Sequence, residues 1–214
     1  MGSHVSARAC NDALASQEIE EHLGRMTIDN AELAGKLLIA MPDMSDPRFA
    51  KAVIYMCAHS QEGGMGLIIN RPKPEIGFHA LLEQLEIPLG VNVRAPDIFY
   101  GGPVEQQRGF VLHSADYACE DGTLNVDPRI RMTATLQVLE DIAQGKGPSV
   151  ALLALGYAGW GPGQLEYEIG QNGWLTCAPT EKLVFGTPND AKWSEALKLM
   201  GIDPLLLSAT AGHA

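Results

Sequence analysis

The sequence predicts an α/β or α+β fold, in which a mixed β-sheet is flanked by helices. Short apolar runs bounded by turn residues indicate strands, and amphipathic segments at helical spacing lie between them. The 214 residues are 46% hydrophobic and 19% charged, and a globular chain of this composition can bury a core without disulfides or metal. The sequence shows no internal repeat of fixed period.

The predicted strands are apolar runs that end at glycine, proline or polar residues. Residues 52–59 and 65–70, joined by a glycine-containing turn, predict a hairpin. Residues 149–155 are apolar along almost their whole length, which predicts a central strand covered on both faces. The remaining predicted strands are 35–40, 98–100, 109–113, 174–177 and 183–185.

Four amphipathic helices are predicted between and after these strands from apolar residues three and four positions apart. Their apolar faces are Phe78, Leu81, Leu82 and Leu85; Leu136, Leu139, Ile142 and Ala143; Leu165 and Ile169; and Trp193, Ala196, Leu197 and Met200. Residues 1–30 show only a weak helical spacing at Leu14, Ile19 and Leu23. We therefore expect a poorly ordered N-terminal extension over 1–30 and a single domain over 31–214.

The charge of the chain argues against direct contact with nucleic acid. The sequence contains fifteen lysine and arginine residues and twenty-six acidic residues, which gives a net charge of −11. Binding to a phosphate backbone requires several clustered basic side chains, and the sequence has no such cluster. A direct DNA-binding regulator is therefore disfavoured.

The cysteines and the apolar runs indicate the compartment. Cys10, Cys57, Cys119 and Cys177 lie far apart with no C-x-x-C pair, as is typical of free thiols in a reducing compartment. No apolar run approaches the roughly 20 residues of a membrane helix, and the N-terminus lacks a secretory pattern. These features predict a cytoplasmic protein that does not enter a membrane.

Two motifs are candidates for catalysis or metal binding. Residues 147–151 resemble a nucleophile elbow, but Ser149 is predicted to begin a strand after a helix, whereas that motif needs a strand-to-helix turn. His113, Asp116 and Cys119 are spaced like metal ligands, although His113 is equally well explained as a hydrogen-bonded residue at a strand end. We therefore predict no catalytic residue, no metal and no cofactor.

Strand ends and glycine turns supply the candidate ligand site. Residues 156–163 are predicted to form a glycine-rich loop before a helix, where a small molecule can approach the backbone, although the spacing is not G-x-G-x-x-G. Polar, aromatic and glycine residues of this kind at predicted strand ends are Asn70, Arg71, Gly101, Gly102, His113, Tyr157, Gly159, Trp160 and Gln164. In the alternative interpretation the glycines only make turns, Arg71 pairs with an acid such as Glu166, and Trp160 fills the core.

Four segments together carry a resemblance to a known family. They are LAGKLLIAMP at 33–42, GLIINRP at 66–72, YGGPV at 100–104 and LGYAGWGPGQLE at 155–166. In order and spacing they resemble the bacterial AlgH/YqgE family, and the likeness runs from residue 33 to the C-terminus. The resemblance implies a mixed α/β fold with a smaller second lobe. It supplies no agreed catalytic residue, and the family is mostly uncharacterised, with one branch linked genetically to alginate regulation and labelled a transcriptional regulator.

Three functions remain open on these grounds. The favoured one is a binding or regulatory protein that acts through a protein or small-molecule partner without direct DNA contact. The alternatives are a transcriptional regulator that binds DNA directly and an unrecognised enzyme acting on a small molecule. An enzyme would require clustered titratable side chains with shifted pKa values, which a structure can show.

Overall fold

The computed structural model describes residues 33–91, 93–119, 121–204 and 207. The predicted N-terminal extension therefore lies outside the described residues. Within them the strands are β1 (Leu37–Ala40), β2 (Val53–Ser60), β3 (Gly63–Ile68), β4 (Asp97–Tyr100), β5 (Val104–Ser114), β6 (Thr123–Asn125), β7 (Ile130–Thr133), β8 (Ala151–Trp160) and β9 (Trp174–Cys177). The helices are α1 (Phe78–Gln84), α2 (Leu136–Ala143), α3 (Gln164–Gly170) and α4 (Lys192–Leu199), with a π-helical turn at Lys182–Gly186.

The described strands form one curled sheet in the order β6-β7-β5-β8-β3-β2-β1-β9. Strand β4 lies beside the first half of β8 and is parallel to it, whereas the other pairs are antiparallel. The predicted mixed sheet with flanking helices, the β2–β3 hairpin and the central position of β8 are confirmed. No helix in the described ranges has the length and apolar character of a membrane span.

The concave side of the sheet holds the largest core. Leu37, Tyr55 and Phe110 are among its fully buried side chains, and α4 and the π-helical turn close it. Lys192 also lies here, 2% exposed, and its Nζ donates to the Ile69 carbonyl oxygen at 2.6 Å. Burial lowers the pKa of Lys192 to about 8, against an opposing effect of Asp97.

The predicted strand at 183–185 is wrong, because these residues belong to the π-helical turn. Leu183 and Val184 are consecutive, and both are buried in the concave core. Consecutive side chains of a strand point to opposite faces, whereas a helical turn can direct both inward. A short apolar run does not by itself distinguish the two.

The predicted loop at 156–163 is also wrong in its first half, since β8 continues to Trp160. Ala158, Gly159 and Trp160 pair with Gly66, Met65 and Gly64 of β3. The glycines of β3 and β8 therefore take part in close strand pairing, and not only in a turn. Only residues 161–163 connect β8 to α3.

Strand β8 changes face at Gly156. Val104 pairs with Tyr157 and Gly109 with Leu155, so four residues of β5, 105–108, lie opposite Gly156 alone. Gly156 has a left-handed φ of 74°. Such a bulge shifts the alternation of side chains by one residue.

The shift divides the convex side of the sheet into two regions. Before Gly156, Leu153 points outward into a core covered by α1 and α2, which we call the open face. After Gly156, Ala158 and Trp160 point outward into a separate core covered by α3 and residues 41–51, which we call the sealed face. Gly156 therefore lies at the boundary between them.

Candidate functional site

Glu168 is the centre of the sealed face. Its Oε2 accepts hydrogen bonds from the indole nitrogens of Trp160 at 3.0 Å and Trp174 at 2.8 Å. Its Oε1 accepts one from the side-chain amide of Gln164 at 2.9 Å, and Gln164 in turn accepts from the Gly161 amide. Charge-assisted bonds of this kind are strong, and they use the polar atoms of two predicted site residues within the fold.

Asn70 and Arg71 fasten residues 46–51 to the sealed face. The Asn70 amide donates to the Lys51 carbonyl oxygen and accepts from the Val53 amide, each at 2.9 Å. An Arg71 guanidinium nitrogen donates to the Ala50 carbonyl oxygen at 2.8 Å. Both side chains therefore hold a loop through its backbone.

The alternative pairing of Arg71 with Glu166 is wrong. Glu166 instead contacts His59, with 2.9 Å between Oε1 and Nε2. His59 is 6% exposed, and its Nδ1 has no hydrogen-bond partner among the described residues. The contact ties the β2–β3 hairpin to α3.

Gly101 and Gly102 allow the chain to cross β8 at close range. A Cβ on Gly101 would lie 2.1 Å from the Gly156 carbonyl oxygen, and one on Gly102 would lie 2.0 Å from the carbonyl carbon of Tyr157. The Gly101 amide donates to Leu155, and the Gly101 carbonyl accepts from Ile68. Close packing of backbones explains both glycines.

His113 and Tyr157 are held within the structure. The His113 Nδ1 donates to the Ser114 carbonyl at 2.8 Å, and Nε2 lies 2.9 Å from the Thr133 hydroxyl. Burial lowers the pKa of His113, which favours the neutral ring. Tyr157 packs edge-on against Phe110 at 5.7 Å between ring centroids.

The structure connects most of the nine predicted residues through the backbone, but the Tyr157 and Trp160 side chains lie on opposite sides of the sheet and His113 lies apart. Backbone bonds join the Asn70–Arg71 segment to the Gly101 region, which contacts β8 near Tyr157, and Gly159, Trp160 and Gln164 follow along the chain. His113 lies further along the sheet, beside β7. A ligand site at these residues stays a prediction, and their observed contacts are structural.

The other candidate motifs also make internal contacts. The Ser149 amide donates to Asp116 at 3.1 Å, and the Cys119 sulfur lies 2.8 Å from the Tyr117 hydroxyl. Bonding from Ser114, at 2.5 Å, lowers the pKa of Asp116. In the described part of the chain, no group of three His, Cys, Asp or Glu side chains is arranged to hold a metal.

The open face contains a groove with a volume of about 970 Å³. Its walls are α1 and α2, its floor is formed by β5 and β8, and its rim is the bulge of β5. The lining residues are Leu81, Leu85, Pro103, Glu105, Gln106, Gln107, Arg108, Gly109, Val111, Ala134, Thr135, Leu136, Leu139, Leu153 and Leu155. Ten of these fifteen are apolar, and none is among the nine predicted site residues.

Two leucines that line the groove are more than one-third exposed. Leu85 is 38% exposed and Leu136 49% exposed. Six large hydrophobic side chains of the described residues are this exposed, and four of them, including Leu89 and Val91, lie on α1, α2 or the segment after α1. Clustered apolar exposure of this kind is typical of an interaction surface.

The bulge forms a polar rim on the groove. Glu105 has a left-handed φ of 47°, which a non-glycine residue rarely adopts. Its Oε2 lies 3.5 Å from an Arg108 guanidinium nitrogen, and the Arg108 guanidinium carbon lies 5.6 Å from the centre of the Phe110 ring. Bulges of this type occur often beside functional sites, where they redirect side chains.

The helical spacing predicts core faces for the four helix leucines of the groove, Leu81, Leu85, Leu136 and Leu139, and residues 106–108 of the bulge carry no predicted role. A signal for the groove was present, because the apolar stripes of α1 and α2 are wider than the sheet contact needs. Only Phe78 and Leu82 of α1 are buried, which leaves Leu81 and Leu85 to the groove. For the bulge, whose pairing involves distant strands, the sequence carries no comparable signal.

These features define an α+β protein built on a curled mixed sheet, with a helix-walled apolar groove on one face. A family model described as AlgH-like matches residues 37–205. The chain belongs to the AlgH-like family.

Relatives and solved structures agree with this assignment. A UPF0301 protein of Ruegeria pomeroyi is 58% identical over 185 residues, covering 86% of this chain and all of the relative. One from Cereibacter sphaeroides is 53% identical, with the same coverage. The solution structure of the AlgH protein from Pseudomonas aeruginosa matches with a TM-score of 0.68 at 41% identity, covering 85% of this chain and 96% of that one.

Proposed function

We propose that the chain is a binding protein whose open-face groove receives an apolar part of a partner, without direct contact to DNA. The observation that carries the proposal is the exposed leucine pair, Leu85 and Leu136, which line one groove. Complete burial of a leucine side chain contributes about 1.5–3 kcal/mol. A partner that covers both leucines therefore gains affinity from them.

The shape and chemistry of the groove support binding rather than catalysis. Its volume of about 970 Å³ is at the upper end of the roughly 300–1,000 Å³ typical of ligand sites. The titratable side chains in its lining are Glu105 and Arg108, which face each other across 3.5 Å. Apolar walls with a small polar rim are typical of recognition surfaces.

The absence of direct DNA contact is supported by charge. The net charge of −11 repels the phosphate backbone, and neither helix that walls the groove contains lysine or arginine. In a band-shift assay at about 150 mM salt we expect no sequence-specific complex at nanomolar protein. Such a complex would refute this part of the proposal.

The groove is tested by mapping bound fragments on the isotope-labelled protein. We expect small branched aliphatic and aromatic fragments to shift the backbone amide signals of Gly109, Ala134 and Thr135, since these residues line the groove. Shifts confined to Gly101, Gly102 and Trp160 would place binding at the sequence-predicted site instead. No shifts at either place would contradict the proposal.

A further inference from the structure

The helices that wall the groove carry only acidic charge. Helix α1 contains Glu83, and α2 contains Glu140 and Asp141, with no lysine or arginine in either. Glu86, two residues after α1, and Lys146, three residues after α2, are both exposed and have opposite charges. The Glu105–Arg108 pair on the rim is neutral as a whole, so the acidic residues of α1 and α2 leave the walls of the groove net negative.

The charge of the whole molecule has the same sign. A net charge of −11 attracts cationic partners over a distance and repels anionic lipids, nucleic acids and fatty-acid carboxylates. Among apolar occupants, those with basic surroundings are therefore favoured. This selects a polypeptide rich in lysine or arginine over an anionic amphiphile.

The spacing of the apolar side chains matches a helix as occupant. Leu81 and Leu85 are four residues apart on one wall, and Leu136 and Leu139 are three apart on the other. Leucines one turn apart on two walls can interdigitate with apolar side chains at i, i+3, i+4 and i+7 of a third helix. Gly109 in the floor has no side chain to obstruct the approach.

We propose, on the basis of the proposed function above, that the groove binds a basic, leucine-rich amphipathic helix of another protein. The apolar stripe of that helix contacts the leucines of α1 and α2. Its lysine or arginine side chains lie beside Glu140 and the other acidic groups of the walls. Apolar burial supplies most of the affinity, and charge complementarity supplies the selectivity and the rate of association.

The test compares two synthetic helical peptides of about 18 residues, or five turns. Both carry leucine at the same i, i+3, i+4 and i+7 positions, and the remaining positions are mainly lysine in one and mainly glutamate in the other. Binding to the full chain is followed by fluorescence anisotropy. We expect the lysine peptide to bind at least about tenfold more tightly than the glutamate peptide, and its affinity to fall as salt is raised.

Matched variants separate apolar contact from charge. Leu136→Glu places a carboxylate in the groove, whereas Leu199→Glu adds the same charge on α4, at a side chain that is 57% exposed. We expect Leu136→Glu to weaken the lysine peptide at least about tenfold, despite the added negative charge, and Leu199→Glu to leave it within about twofold. Glu140→Gln should weaken it by a smaller factor.

Several results would overturn the inference. Equal affinity for both peptides would show that charge does not select the partner. If Leu136→Glu leaves the affinity for the lysine peptide unchanged, binding would rest on charge attraction alone. A dimer in sedimentation that Leu136→Glu dissociates would assign the groove to a second copy of this chain. If neither peptide binds while fragments still map to the groove, this inference fails and the proposed function stands; if the fragments fail as well, both fail.

Discussion

The sealed face and the open face, the two regions of the convex side of the sheet, differ in how completely their side chains are packed. On the sealed face, Trp160 is 7% exposed and its indole nitrogen is bonded to Glu168. On the open face, Leu136 at 49% exposed lies over a groove with no covering element among the described residues. Completed contacts indicate a structural role, whereas incomplete apolar contacts indicate a surface for a partner.

Under the proposed function, exposed apolar surface is a better guide to binding than residue type is. Tryptophan, arginine and glycine are frequent in binding sites, yet Arg71 holds a loop and Gly101 allows a close backbone crossing. Leucine is an ordinary core residue, yet at positions 85 and 136 it is 38% and 49% exposed.

The largest expected effect is the contrast between Trp160→Ala and Leu136→Ala. Removing a buried aromatic side chain lowers the free energy of unfolding by about 3–5 kcal/mol, so Trp160→Ala should be severely destabilising. Leu136→Ala, at a half-exposed position, should change it by no more than about 0.5 kcal/mol. Urea unfolding measures both, and equal losses would remove the distinction between the faces.

Gly156→Ala should destabilise the protein next most strongly, because this residue lies at the boundary between the faces. A Cβ would lie 2.6 Å from the Gly102 carbonyl oxygen, and φ is 74°. Left-handed strain of about 1–3 kcal/mol and overpacking of at least about 1 kcal/mol give a loss of about 2–4 kcal/mol. Gly170→Ala, with nothing within 4 Å of its Cβ, is the control and should be neutral or stabilising.

Stability should rise with pH through the titration of Lys192 in the core that both faces share. Its folded pKa of about 8 lies below the usual lysine pKa of 10.5, so the unfolded chain binds more protons between these values. The free energy of unfolding, relative to Lys192→Met, should therefore increase by about 2–3 kcal/mol from pH 8 to pH 10.5. A flat difference over this range would show that the amine is not held in a desolvated site.

Arg71→Ala, on the sealed face, should lower the free energy of unfolding by a moderate amount. The guanidinium donates to the Ala50 carbonyl oxygen at 2.8 Å, and loss of a charged hydrogen bond costs about 1.5–3 kcal/mol when its partner is buried. Because the loop is exposed, we expect about 1 kcal/mol. Arg94→Ala, whose contact with Ser149 is longer at 3.4 Å, should be close to neutral in the same unfolding experiment.

The sequence was sufficient for the elements whose signals are local. The amphipathic spacing in α2 and the apolar run of β8 predicted their positions, because periodicity reflects which face is buried. The strand prediction at Leu183–Phe185 was wrong, since three apolar residues do not define a period. The face change at Gly156 could not be predicted, because it depends on which strand lies opposite.

The candidate groove could be predicted only in part, for a related reason. The sequence shows that Leu85 and Leu136 belong to apolar stripes, but not that they line one depression. Likewise, Glu168 joins two tryptophans that are 14 residues apart in the chain. Such pairings are decided by tertiary packing, which a single sequence does not display.

The most direct test of the account compares fragment binding in Leu136→Glu and Arg71→Ala, one variant on each face. Amide signals of Gly109, Ala134 and Thr135 are followed during titration with the branched aliphatic and aromatic fragments. The account predicts that these shifts persist in Arg71→Ala and disappear in Leu136→Glu, while both proteins remain folded. If the shifts persist in Leu136→Glu and are lost in Arg71→Ala, the account is contradicted and binding is assigned to the sealed face.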